Sequence, residues 1–138
     1  MAQREQRLTR IEDIEAIKQL KARYYALGDE DHNPDKITML FVEDGIWEGG
    51  IGTAQGHEAM RQLFQRAQQR LSFSHHMVMN PIIEVEGNRA KGTLNHDSLS
   101  LRKDAVTKIV RCPHALRRLG ERSLSPASGS QGVLGLNA

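Results

Sequence analysis

The stretch "SFSHHMVMNPIIEVEGNRAKG" (residues 72–92) decides how this chain folds. Apolar and polar residues alternate on both sides of Gly87-Asn88, a pair suited to the tight turn of a β-hairpin. Residues 72–80 and 82–86 read as two strands, and 90–101 as a third. Pro81 has no N–H to give a ladder, so it marks a bend or a strand boundary. The same stretch carries two adjacent histidines, His75 and His76. Neighbouring side chains on a strand point to opposite faces, so one imidazole faces the covered side and the other does not. A titratable ring on the covered side needs something to act with.

Upstream of the hairpin the pattern is helical. From Gly56 to Leu71, Met60, Leu63, Phe64, Ala67 and Leu71 share one face. Before that, "GIGTAQGH" (50–57) is a glycine-rich turn and "GIWEGG" (45–50) a short strand. Pro34 or Asp35 starts a short helix through Ile37, Leu40 and Phe41. The polar segment "DEDHNPDK" (29–36) reads as a loop. His32 and His57 read as solvated loop residues. At the front, Thr9 and Glu12 have the spacing of a capping box, which predicts a helix start. Ile11, Ile14, Ile17, Leu20, Tyr24 and Leu27 then form one apolar stripe, and Gly28 is placed to end the helix. The order helix, helix, strand, helix, consecutive strands predicts an α+β domain, with helices on one side of a curved antiparallel sheet.

Composition limits the alternatives. A chain of 138 residues suits one domain with one core. All six aromatic residues lie between Tyr24 and Phe73, so the core is weighted to the front half. The net charge of +2 argues neither for nucleic acid nor for a membrane surface. Residues 102–122 carry seven Lys/Arg against two Asp/Glu but no aromatic residue to stack on bases. A single cysteine, Cys112, excludes an internal disulfide and a multi-cysteine zinc site, and fits a reducing, cytoplasmic setting. No stretch is apolar enough for a membrane span.

The composition changes after Leu101. "RKDAVTKIVRCPHALRRLGERS" offers a strand at 105–110 or a basic helix at 114–122, and "LSPASGSQGVLGLNA" reads as a loose tail. The expected organisation is therefore a core at 1–101 and a divergent, basic then Ser/Gly-rich segment at 102–138. That segment either completes the sheet or leaves it incomplete.

Over residues 10–101 the order and several motifs resemble the NTF2-like superfamily, in its SnoaL-like branch. The matching pieces are "IEDIEAIKQLKARYYALGD", "KITMLFVEDGIWEGG", "IGTAQGHEAMRQLF" and "SHHMVMNPIIEVEGNRAKG". The resemblance implies a conical fold enclosing a pocket. In the dehydratases and dehydrochlorinases of that branch an aspartate after the first helix pairs with a histidine on the long strand. Carried onto this chain, the histidine is His76 and the aspartate Asp29. Asp31 is an alternative carboxylate and His96 an alternative second histidine. Tyr24, Trp47, Val78, Asn80 and Leu94 are the expected pocket lining.

The chemistry suits such a pair. Histidine titrates near working pH, so it can take a proton from carbon. A carboxylate on its other nitrogen fixes the tautomer and stabilises the imidazolium. The resemblance therefore implies a lyase or isomerase that needs no metal or organic cofactor and acts on a small apolar or aromatic molecule. It also implies a homo-oligomer, dimer or trimer. The competing expectation is a non-catalytic ligand-binding or dimerisation module.

Overall fold

The computed structural model describes residues 1–118 and 131–133, with side chains described through residue 104. Helix α1 (Ala2–Glu30) opens the chain. It begins a full two turns before Thr9, so the capping box does not form. Alanine, glutamine, arginine, glutamate and leucine are strong helix formers, and nothing in "AQREQRLTR" interrupts them. Residues 2–12 are exposed, Ile11 among them; the buried face runs through Ile17, Leu20, Lys21, Tyr25 and Gly28. The helix also passes through Gly28 and ends at Asp31, whose N–H reaches the Leu27 carbonyl.

Helix α2 (Pro34–Thr38) starts as its sequence predicts, with proline in the first turn and the Asn33 side chain accepting from the Lys36 N–H at 3.1 Å. Strands β1 (Ile46–Gly49) and β2 (Gly52–Gln55) pair antiparallel about residues 50–51. The glycine-rich stretch expected to be a turn therefore holds a second strand. Its glycines mask the strand pattern, yet they allow the two-residue reversal: Gly52 has φ 138°. A β-carbon at Gly49 would lie 2.3 Å from the Trp47 ring, which packs over that backbone. Helix α3 (Gly56–Arg70) follows.

The long strands are β3 (Leu71–Glu86), β4 (Arg89–Arg102) and β5 (Ala105–Arg118), with a short β6 (Gln131–Val133). They form one six-stranded sheet in the order β2-β1-β6-β5-β4-β3. Every pairing is antiparallel except β5 with β6. β5 lies along β4 from Ala90↔Arg118 to Arg102↔Ala105. Residues 114–118 therefore extend a strand instead of starting a basic helix, because the long β4 edge offers a backbone partner at each step. Residues 119–122 of that helix, and most of the Ser/Gly-rich tail, lie outside the described residues.

β3 is one strand with a defect. Met79 faces Asn95 and Ile82 faces Thr93, so Asn80 and Pro81 together oppose one residue, and Asn80 takes φ 51°. This is a β-bulge, and it changes which residues face inward. Before it the even positions Ser74, His76 and Val78 face α1; after it the odd positions Ile83 and Val85 do. The inner layer joins Ile17 and Leu20 of α1 to Ile37, Phe41, Trp47, Ala54, Met60, Leu63, Phe64, Ala90 and Leu94. The Trp47 indole N–H donates to the Tyr24 hydroxyl at 2.7 Å, and the Trp47 ring meets Phe64 edge-on at 5.4 Å. Among the described residues, no helix is long and apolar enough to cross a membrane.

Candidate active site

Among the described residues β3 is an edge strand, so half of its N–H groups have no ladder partner there. The end of α1 meets that edge. Asp29 takes the His76 N–H on Oδ2 at 3.0 Å, and its Oδ1 lies 2.5 Å from His76 Nδ1. A carboxylate in the last turn of a helix opposes the helix dipole. Here the two His76 donors offset that cost. The contact fixes the hydrogen on Nδ1 and leaves Nε2 of His76 as an acceptor.

The surrounding groups hold this pair in place. The buried Ser74 hydroxyl donates to the Gly28 carbonyl at 2.9 Å and lies 3.4 Å from Asp29 Oδ1. His32 Nε2 sits 3.2 Å from the same hydroxyl, where its N–H is the donor. His32 is thus part of the site, not a solvated loop residue. Burial, and then the neighbouring His76, push its pKa down, against smaller upward pulls from Asp29 and Asp31. His75, on the other face of β3, is exposed, with Nδ1 3.8 Å from Asp29 Oδ2. His57 is likewise not solvated; its ring is 2.8 Å from the Phe41 carbonyl.

His76 forms part of the wall of a cleft of about 350 Å³ between α1 and the sheet. Asp29, Lys21, Tyr25, Ile83 and Leu94 line its inner part. Lys18, Ala22, Ala26, Val78 and Pro81, all exposed, form the rim. The resemblance implied an enclosed pocket; the cleft is open along this rim. Behind it, the rings of Tyr25, His76 and His96 cluster: Tyr25 lies 4.8 Å from His76 and 5.4 Å from His96, and the two imidazoles are 6.1 Å apart.

The structure therefore brings together Asp29, His76, Val78 and Leu94 among the residues singled out from sequence. Asp31 goes elsewhere: it is exposed and its Oδ1 accepts from the Asn33 N–H at 2.8 Å, ordering the turn. His96 is buried next to the pair but does not line the cleft. Tyr24 and Trp47 bond to each other in the core and do not line it either; burial pushes the Tyr24 hydroxyl up to about 12. Asn80 sits in the bulge, and its neighbour Pro81 takes the lining position. Sequence reasoning missed Tyr25, Lys21, Ser74 and His32. One signal was available: Ile17, Lys21 and Tyr25 are spaced by four, so the lysine lies on a buried helix face. Among the described residues, no group of three or more His, Cys, Asp or Glu side chains is arranged to hold a metal ion.

The SnoaL-like domain profile matches residues 9–111, and the chain belongs to this family, with the α+β fold of the NTF2-like superfamily. Three solved structures share that fold. One, from Novosphingobium aromaticivorans, whose description proposes an aromatic ring hydroxylase, is 21% identical, with a TM-score of 0.75 over 91% of this chain and 89% of that one. A second from the same organism, described as a candidate scytalone dehydratase, is 19% identical, with a TM-score of 0.71 over 91% and 85%. A hexachlorocyclohexane dehydrochlorinase of the LinA type 2 form is 18% identical, with a TM-score of 0.73 over 91% and 86%. No curated protein sequence matches the chain.

Proposed function

We propose that this chain is a cofactor-independent lyase or isomerase for a small apolar or aromatic molecule, with His76 as the base and Asp29 as its orienting partner. The observation that carries this reading is the 2.5 Å contact between Asp29 Oδ1 and His76 Nδ1 at the wall of a mostly apolar cleft. His76 Nε2 takes a proton from a substrate carbon. In elimination, the electrons of that C–H bond form a C=C bond, and a leaving group departs from the adjacent carbon with its bonding pair. In isomerisation, the imidazolium returns the proton to another carbon. In both, Asp29 stabilises the charge that His76 acquires. The dehydratase and dehydrochlorinase names among the similar structures support the elimination branch.

The test is a panel of small ring compounds bearing a hydroxyl or halide beta to an acidic C–H, assayed with the wild-type chain and with His76→Ala. A positioned base contributes roughly 10²–10⁴-fold, so the variant loses that much kcat/KM while melting close to wild type. Full turnover in a folded His76→Ala chain would remove the reading.

The open rim at Ala22, Ala26 and Val78 favours a second reading, a binding module that holds a small ligand without converting it. It predicts saturable binding by calorimetry with no turnover of anything bound. Two further elements belong to the proposal: cytoplasmic residence, supported by a single cysteine, and a second copy of the chain against the outer face of β3.

A further inference from the structure

The acid–base pair gives no task to Lys21, a buried ionisable group of the cleft. Lys21 lies two helical turns before Asp29, is only 3% exposed and lines the same cleft. Its Nζ lies 4.7 Å from the centroids of both the Tyr24 and Tyr25 rings. Among the described residues no carboxylate is within ion-pair distance of it. The other charged and titratable groups that share the cleft are Lys18, Tyr25 and Asp29 from α1 and His76 from β3. Lys18 is exposed and turned to Glu15 at 4.0 Å; Asp29 is engaged by His76. Facing residues from the sheet are apolar: Val78, Pro81, Ile83 and Leu94.

We propose that Lys21 captures a small apolar aldehyde or ketone in this cleft as an imine. The proposal shares the cleft with the acid–base reading but does not depend on it. An ammonium without a counter-ion is costly to bury, so the site favours the neutral amine. Burial lowers the Lys21 pKa to about 7, and the two tyrosine faces pull the other way by favouring the cation. The amine is thus present near neutral pH, at an apolar wall, with its lone pair available. The Nζ lone pair adds to the carbonyl carbon as the C=O π pair moves to oxygen, giving a carbinolamine. The oxygen then leaves as water with both amine hydrogens, and a C=N bond remains. No oxidant or reductant is consumed. A cleft of about 350 Å³ holds an aromatic aldehyde, and Ala22 and Ala26 leave its approach open.

Trapping tests this directly. The full-length wild-type chain is incubated with benzaldehyde and sodium cyanoborohydride at pH 7, and the modified lysines are mapped by peptide mass spectrometry. The expected result is one benzyl group on Lys21, formed at least about tenfold faster than on any of the other five lysines. A folded Lys21→Arg chain loses that fast phase and keeps the slow background. Labelling of Lys21 at or below the rate of the other lysines, in protein that retains native circular dichroism, would overturn the proposal. This readout needs no turnover. A negative result leaves the His76 reading intact, and full activity in His76→Ala leaves Lys21 labelling intact.

Discussion

At the scale of single residues, the site departs from ordinary folding preference at two points on one helix. Asp29 places negative charge at a helix C-terminus, and Lys21 places in a buried layer an amine with no carboxylate partner among the described residues. Departures of this kind collect at functional sites, where stability is traded for chemistry. For Lys21 the cost has a pH signature. Its folded pKa is about 7 against 10.5 for the free side chain, so between those values the unfolded chain holds a proton that the folded chain does not. Stability therefore rises with pH across this window. Lys21→Met removes the cost and should stabilise the chain. The gain is on the order of 3–5 kcal/mol below pH 7, less what the tyrosine faces return to the cation, and it fades as pH approaches 10.5. Urea denaturation of both chains at pH 6.5 and pH 9.5 measures it; an equal gain at the two pH values would contradict the assignment of a lowered pKa. His32 acts in the same direction at lower pH. Its depressed pKa makes the folded chain lose stability as pH falls below about 6.5.

At the scale of elements, the bulge at Asn80–Pro81 decides whether the long hairpin has one buried face or two half-buried ones. Strand side chains alternate strictly, so one extra residue exchanges the faces. It lets His76 and Val78 share the inner side with Ile83 and Val85, although the two pairs have opposite parity. Deleting Ile82, directly after the bulge, should shift the following residues by one and turn Ile83 and Val85 outward. The expected loss is more than about 3 kcal/mol in urea denaturation, the range that follows when two aliphatic side chains leave the inner layer at once. A deletion chain with wild-type stability would mean that the inward placement of Ile83 and Val85 is incidental. Much at this scale was legible in the sequence. The short helix after Asn33, α3 and the Gly87-Asn88 turn follow from local chemistry. So does the division of His75 and His76 between two faces. Pro81 announced a defect, but its sign depends on the partner strand and is not a local property. The start of α1 was misjudged because a capping box is permissive and does not block helix on its N-terminal side. β2 was missed because glycines suited to a tight reversal hide a strand.

At the scale of the molecule, the pairing of Asp29 with His76 spans 47 residues of sequence, and only the fold joins them. The family resemblance identified the pair; spacing alone did not. Lys21 and Tyr25 escaped because a buried lysine and a second tyrosine read as ordinary helix residues until the sheet is laid against them. The outer face of β3 exposes Phe73, Met77, Met79 and Ile82 along a single edge strand. A row of this kind on an edge strand is what the proposed association with a second copy would cover. Its four side chains repeat along one strand, so a second copy presents the matching row, in line with the proposed homo-oligomer. Met77→Glu puts a charge in the middle of that row. It should convert an oligomeric wild-type chain to monomer in sedimentation velocity, with no change in circular dichroism. A monomeric wild-type chain at the same concentration would rule this face out as a self-association surface.

The two polar ends of the cleft are carried by one continuous helix. Lys21 and Asp29 are eight residues apart, which is roughly 12 Å of axial rise. Their separation is therefore set by a rigid ruler and not by any loop. A single residue added or removed between positions 22 and 28 would swing Asp29 by about 100° around the axis and take it away from His76. Natural variants of this chain should accordingly change length in the segment after the helix and hold this interval constant.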